Sequence, residues 1–246
     1  MKEVLSDILK HTHGLGIFEA VKIVGEDDST TITSMDINRS VMFTGVLTKS
    51  VSEFKGLSGL GNLSYLHWLL HWGFMDQAKI SVIRQTRNGN EVPVEMQFDS
   101  GKGDPWFYRF MSPEVVKEMI TGSIGAVEWN ATAILTRDEV SLFSAAASGM
   151  AKFNETFNLS TKGTDLVATF GTGGNAHRGS IVLGSDIKGS MGRELSWPIA
   201  HVLSILNLGK EELIKVSVCD RGVLRFTVES EHGQYEYLLP AMMPKE

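Results

Sequence analysis

The chain has 246 residues and a mass of 27.0 kDa, and 42% of its residues are hydrophobic and 21% charged. This composition is typical of a globular protein with one large domain or two smaller ones, and no apolar run is long enough to span a membrane. Cys219 is the single cysteine, which excludes an internal disulfide and fits a reducing, cytoplasmic compartment. The net charge of -6 argues against a protein that coats nucleic acid over its whole surface, but it permits a local basic lining.

The hydrophobic pattern of the first half begins with a helix over residues 2–13, followed by strands over 18–25 and 29–36. A second helix follows Asn62, because leucines recur there at helical spacing up to Gly73. Three strands come next, over residues 78–86, 91–98 and 106–111, and Asn88-Gly89 predicts a tight hairpin between the first two.

The second half repeats this order. A helix over 136–152 opens with Thr136 and Glu139 in the spacing of a capping box, and two strands follow it. Another helix over 195–209, with Ser196 as its N-cap, precedes three more strands over 213–220, 223–230 and 234–240. The copies are offset by roughly 130 residues, which is too long for a solenoid repeat. We predict two tandem α+β domains, 1–112 and 128–246, joined by a connector over 113–127.

These features resemble the DNA polymerase sliding clamps that have two domains per chain. They include the proliferating-cell nuclear antigens of eukaryotes and archaea and the clamps of T-even-like phages. The resemblance is most specific over about the last fifty residues, which end in GVLRFTVESEHGQYEYLLPAM with an aromatic-Leu-x-Pro element. Ser34-Met35-Asp36 also stands where the nuclear-antigen clamps carry a similar tripeptide. The helix with Trp68 and Trp72 has no counterpart in the family pattern.

The resemblance implies a fold and a function. The fold is two tandem copies of the DNA-clamp fold, with helices lining a hole and antiparallel sheets outside. Three chains would join head to tail as a homotrimeric ring around duplex DNA, contacting phosphates without reading sequence. Such a ring is a processivity factor, not an enzyme. It tethers a replicative DNA polymerase, is loaded by a clamp loader ATPase, needs no cofactor, and works on DNA in the cytoplasm, of the host cell if the clamp is a phage protein.

Two sets of site residues follow from the resemblance. The predicted helical segments hold as many basic as acidic residues, so the rest of the chain carries the whole net charge of -6. A lining less acidic than the exterior suits contact with phosphates. The residues expected to contact DNA are Lys2, Lys10, Arg137 and Lys152, with His11 and His201 as weaker candidates. The residues expected to form an apolar pocket for a partner peptide are Met35, Met42, Val115, Ile120, Ile124, Leu239 and Pro240. The alternative for each pocket residue is an ordinary place in the core.

Other residue patterns give no positive case for catalysis. His67 and His71 have the spacing of a zinc pair on a helix, but the sequence shows no third ligand nearby. Gly171–Asn175 lacks the ending of a phosphate-binding loop, and Glu26–Asp28 has the profile of a solvated turn. Trp68, Trp72 and Trp106 are either stacking surfaces for bases or part of the core.

Three alternatives to the ring remain open. One is a monomeric or dimeric clamp-fold protein that binds DNA without encircling it. Another is a clamp-fold scaffold, such as a transcription coactivator that tethers a polymerase to a promoter. The third is an enzyme that uses a metal at His67 and His71.

Overall fold

The computed structural model describes residues 1–87, 89–119, 125, 127–171 and 176–242. The chain divides into two compact units, one formed by Met1–Ser123 with Glu231–Gln234 and the other by Ile124–Ser230 with Tyr235–Glu246. The narrower limits of 1–112, 113–127 and 128–246 stay predictions. Among the described helices, none combines the length and the hydropathy required to cross a bilayer.

In the residues that the structure describes, the first unit contains three α-helices and two sets of antiparallel strands. One sheet has the strand order β3-β2-β1-β4 and the other β5-β6-β7. The helices are α1 (Lys2–His11), α2 (Leu63–His71) and α3 (Pro113–Met119). The strands are β1 (Val21–Gly25), β2 (Thr30–Met35), β3 (Met42–Leu47), β4 (Gly56–Leu60), β5 (Lys79–Arg87), β6 (Asn90–Asp99) and β7 (Trp106–Arg109). Short 3₁₀ turns occur at His13–Leu15, Ser52–Phe54 and Gly73–Met75.

Helix α1 packs against α2 in the core of this unit. Both helices are amphipathic, and their buried faces consist mainly of leucine and isoleucine. Alternate residues of β1 and β2 are buried in turn, as expected for strands with one face on the core. The buried side chains of the two helices include Leu5, Ile8, Leu9, Leu63, Leu66, Leu69 and Leu70.

The second unit has the same organisation with two extra strands, one before its first helix and one of two residues before the strand that leads into its second helix. Its helices are α4 (Arg137–Met150) and α5 (Ile199–Leu206), which pack against each other. The strands are β8 (Ala131–Leu135), β9 (Thr156–Lys162), β10 (Asp165–Phe170), β11 (Gly179–Gly184), β12 (Lys188–Gly189), β13 (Leu195–Pro198), β14 (Leu213–Cys219), β15 (Val223–Glu229) and β16 (Gly233–Pro240). One sheet has the order β11-β10-β9-β13, and the other strands follow the order β12-β8-β14-β15-β16.

The two units are copies of one topology. Strands β1, β2, β3 and β4 occupy the same places in their sheet as β9, β10, β11 and β13. In each unit the last of these four strands leads directly into a helix, and three consecutive antiparallel strands follow that helix. The predicted α+β class and the predicted internal repeat are therefore both confirmed.

The predicted helix over 195–209 was wrong at its beginning. Residues Leu195–Pro198 form β13, and α5 begins only at Ile199, with Pro198 at the N-cap position. The Ser196 hydroxyl donates to the carbonyl of Phe157 in β9 and does not cap a helix. Trp197 explains this choice, because its fully buried ring and its indole N–H, 3.2 Å from the carbonyl oxygen of Leu239, hold the segment in the sheet.

Several elements were missed in the sequence. Helix α3 lies inside the predicted connector, and strands β3, β4, β8 and β12 were not predicted. The β4 segment, GLSGL, has two glycines, which weaken the strand pattern. Gly59 is required there because Val116 of α3 lies where a side chain at residue 59 would be. Asn88 of the predicted Asn-Gly hairpin lies outside the described residues.

The capping box at the start of α4 is confirmed. The Thr136 hydroxyl accepts from the backbone N–H of Glu139, and the Glu139 carboxylate accepts from the backbone N–H of Thr136. The same carboxylate accepts from the backbone N–H and hydroxyl of Ser185. Partial burial would raise the pKa of Glu139, but these hydrogen bonds outweigh it and lower the pKa. The helix is thereby tied to the turn after β11.

We expect the change Thr136→Ala to lower the free energy of unfolding by about 1 kcal/mol, because the N–H of Glu139 loses its acceptor. The measurement is urea unfolding followed by circular dichroism. Ser141→Ala is the matched control, since Ser141 is exposed on the same helix. Equal midpoints for the two variants would contradict a stabilising cap.

Candidate functional site

Five of the six residues that were expected to contact DNA lie on the helices α1, α4 and α5. On α1, the Lys2 ammonium lies 3.1 Å from the Asp76 carboxylate and 3.4 Å from the carbonyl oxygen of Met75. Lys10 is half-buried in the last turn of the same helix. An ion pair at the surface contributes at most about 1 kcal/mol, so Lys2 can exchange Asp76 for a phosphate at little cost.

In the second unit, Arg137 is exposed in the first turn of α4. Lys152 was expected on this helix, but α4 ends at Met150 and Lys152 is exposed in the turn that follows. His201 on α5 is half-buried, and its Nδ1 has no accessible surface. The charged groups of Arg137 and Lys152 are therefore open to solvent, whereas Nδ1 of His201 is not.

His11 is not a surface residue, so we do not propose it as a DNA contact. Its side chain is fully buried on α1, and Nε2 lies 3.7 Å from a carboxylate oxygen of Asp7. A histidine is polar, which suggested a surface position. However, His11 follows the buried Ile8 by three residues, and this spacing places it on the inner face of the helix.

Two of the predicted peptide-pocket residues lie directly opposite each other. Met35 at the end of β2 pairs with Met42 at the start of β3, and both are half-buried. The turn between them is held by Asp36, whose carboxylate accepts from the Ser40 hydroxyl at 2.8 Å and from backbone N–H groups. Ile37 in this turn is 81% exposed, and the sequence analysis missed it.

The other predicted pocket residues differ in accessibility. Val115 on α3 is exposed, and Pro240 at the end of β16 is exposed. Leu239 is fully buried, so its side chain has no free surface for a peptide. Ile120 and Ile124 lie outside the described residues. A peptide site over 35–42 with Val115 stays a prediction.

A surface of five aromatic residues covers one part of the first unit, and we call it the aromatic surface. The rings of Trp68 and Trp72 are stacked with centroids 5.0 Å apart, and Trp106 meets both edge to face. Trp68 is 43% and Trp106 39% exposed, so neither belongs to the core. Such a contiguous exposed patch is typical of an interaction site. Its members are Tyr65, Trp68, Trp72, Phe74 and Trp106.

The aromatic surface includes a strand at the end of a sheet. Strand β7 carries Trp106 and Phe107 and is the last strand in the order β5-β6-β7. In the second unit, β11 is the last strand in the order β11-β10-β9-β13. The exposed ring of Phe153 lies 5.0 Å from the ring of His177, two residues before β11 begins. Each unit thus has a sheet edge flanked by exposed aromatic rings.

The other residues singled out in the sequence occupy ordinary positions in the fold. Asp27 is exposed in a turn, where its hydrogen bond and ion pair with Lys55 lower the pKa of the carboxyl group. Cys219 is buried at the end of β14. In the segment Gly171–Asn175, residues 172–175 lie outside the described part of the chain. His67 and His71 are exposed on α2.

Comparison with solved structures shows the class of fold. The chain is similar over 100% of its length, and over 97% of the other chain, to A. fulgidus PCNA bound to the C-terminal region of FEN-1, with a TM-score of 0.73 and 10% identity. It is similar to PCNA from Thermococcus kodakaraensis over 98% of this chain and 95% of that one, with a TM-score of 0.67 and 11% identity. No protein-family model and no curated protein matches the sequence.

These similarities extend over both units, and the compared chains are equal in extent. The chain therefore has the fold of the PCNA-type sliding clamps, as its sequence predicted. Identities of 10% and 11% are low, so the shared property is the fold.

Proposed function

We propose that this chain is the subunit of a ring-shaped sliding clamp that encircles duplex DNA and holds a replicative DNA polymerase on its template. The observation that carries the proposal is the match of the whole chain, both units included, to PCNA at a TM-score of 0.73. The function is mechanical and requires no catalytic residue or cofactor. A clamp loader ATPase would open the ring, and the site of action would be DNA in the cytoplasm.

Ring closure needs two different surfaces on each chain, because subunits that join head to tail use unlike faces. The aromatic surface with the edge of β7 supplies one candidate, and the edge of β11 with Phe153 supplies the other. Pairing of β7 with β11 of the next copy would extend both sheets and cover these exposed rings. Two domains per chain and six around the ring make the expected assembly a homotrimer.

We expect a native mass of three times the 27.0 kDa chain for the unmodified protein. The double change Trp68→Glu with Trp106→Glu should reduce the mass to that of one chain, because two carboxylates would lose hydration in the interface. Light scattering or native mass spectrometry measures both masses. Leu213→Glu is the matched control, since Leu213 is exposed on β14 of the second unit.

A trimer that survives the double change would show that the aromatic surface is not the subunit interface. A monomeric parent protein at all concentrations would contradict the closed ring and would favour a clamp-fold protein that binds DNA without encircling it.

DNA contact by the hole-lining helices is expected to be electrostatic and independent of sequence. Changing Lys2, Lys10, Arg137 and Lys152 to alanine should weaken binding and reduce the slope of log K against log salt by about 0.9 for each phosphate that the protein no longer neutralises. Fluorescence anisotropy of a labelled duplex at several salt concentrations measures this slope. The control changes four exposed lysines elsewhere to alanine, namely Lys79, Lys102, Lys162 and Lys210. Equal slopes for the two variants would contradict the assignment.

A polymerase peptide would dock beside the Asp36 turn, because that turn presents Ile37 next to the Met35–Met42 pair. Partly exposed methionines suit an apolar surface that accepts several partners. The change Ile37→Asp should lower polymerase stimulation about tenfold while the assembly mass stays unchanged. Primer extension on a long single-stranded template measures stimulation, with Leu213→Glu as control. Full stimulation by the Ile37 variant would place the peptide site elsewhere, and recruitment without any gain in processivity would favour the scaffold alternative.

A further inference from the structure

Three histidines from distant parts of the sequence lie together in the first unit. His67 and His71 are one helical turn apart on α2, and their ring centroids are 4.1 Å apart. His13, in the 3₁₀ turn after α1, has its ring centroid 5.5 Å from that of His67. The sequence showed only the pair on α2, because His13 precedes it by more than fifty residues. The fold therefore brings a third imidazole to the pair.

The hydrogen bond of His71 determines which of its nitrogens can bind a ligand. Nδ1 lies 2.8 Å from the carbonyl oxygen of His67. A carbonyl oxygen only accepts, so Nδ1 carries the proton and Nε2 keeps a free lone pair in the neutral ring. A backbone carbonyl that accepts from the second nitrogen is the usual support of a metal-binding histidine.

The surroundings of His67 favour its neutral form. Desolvation lowers the pKa of His67, and the nearby His71 and His13 lower it further because a second positive charge would be repelled. Neutral imidazole is the form that binds a metal ion, so protons compete little at neutral pH. The positions of the three rings and the Nδ1–H donor of His71 are the geometric basis for a metal site, and the neutral form of His67 agrees with them.

We propose that His13, His67 and His71 form a binding site for a divalent transition-metal ion such as Zn²⁺, with water at the remaining coordination positions. A Zn–N distance of about 2.0–2.1 Å places two imidazole centres on one tetrahedral ion about 5 Å apart. The two centroid distances, 4.1 and 5.5 Å, lie on either side of this value. The rings of His67 and His71 are stacked at 24°, so the His67 ring must rotate to converge on an ion with His71, which keeps its hydrogen bond. The exposure of His67 permits that rotation.

A bound ion would join the turn after α1 to α2, two elements that already pack together. It would therefore stabilise the folded state by mass action. The proposal does not depend on the ring or on DNA binding, because all three ligands come from one unit of one chain.

The test is isothermal titration of ZnCl₂ into the full chain after removal of metals with EDTA, at pH 7.5. We expect one Zn²⁺ per chain and at least about tenfold weaker binding in each of His13→Ala, His67→Ala and His71→Ala. His177→Ala is the matched control, because His177 lies in the second unit. Binding should weaken as the pH is lowered, because protons compete with the metal ion for the imidazole nitrogens. Circular dichroism verifies that each variant is folded.

X-ray absorption of the zinc-loaded protein provides a second readout and should show three imidazole nitrogens. The absence of binding at millimolar Zn²⁺, or equal binding by the parent protein and His67→Ala, would overturn the proposal. Weaker binding in the two α2 variants with no change in His13→Ala would also overturn it, since the site would then be the helical pair alone.

Discussion

The burial of one face of each sheet is the constraint on which the rest of the structure depends. Antiparallel strands with alternating side chains have one apolar face, and that face must be covered. In each unit two helices supply apolar side chains to the core, and α4 packs directly on β11. Each of these helices thus has one face that packs in the core and an opposite face that is available for other contacts.

This arrangement determines which residues of α2 and β7 lie outside the core. Leucines occupy the inner stripe of α2, which leaves Trp68 and the histidine pair outside. The last strand of a sheet also has backbone groups that no neighbouring strand satisfies, and natural proteins cover or pair such edges. An exposed aromatic surface beside the edge of β7 is therefore a feature that needs a partner. In the ring that we propose, a second copy of the chain would cover this surface.

The charge difference between the predicted helical segments and the rest of the chain is small, and this also has a physical explanation. A protein with a net charge of -6 holds polyanionic DNA only where cations face it and carboxylates face away. Lys2 and Arg137 are on helices, but acidic residues share those helices, and Lys2 already contacts Asp76. Contacts of this kind are individually weak and independent of sequence, which agrees with the sliding that we propose.

The sequence alone predicted the fold class, the internal repeat and the capping box of α4, because each depends on local spacing. Leucine periodicity, Thr136 with Glu139, and the alternation of β14 to β16 are properties of short segments. The strands that were missed have weaker local patterns: β4 contains two glycines, and the β13 segment was assigned to the following helix. Strand pairing stabilises these segments, and pairing joins residues that are far apart in the chain.

The candidate sites were less predictable than the fold. Whether a polar residue is buried depends on what packs on its helix, so His11 was misplaced and Ile37 was missed. For the same reason, the sequence did not predict that the rings of His13 and His67 lie close together. Local spacing by itself determined which segments become helices and most of the strands. Only the tertiary structure decided which side chains face solvent and which distant residues meet, because burial and proximity arise from packing between segments.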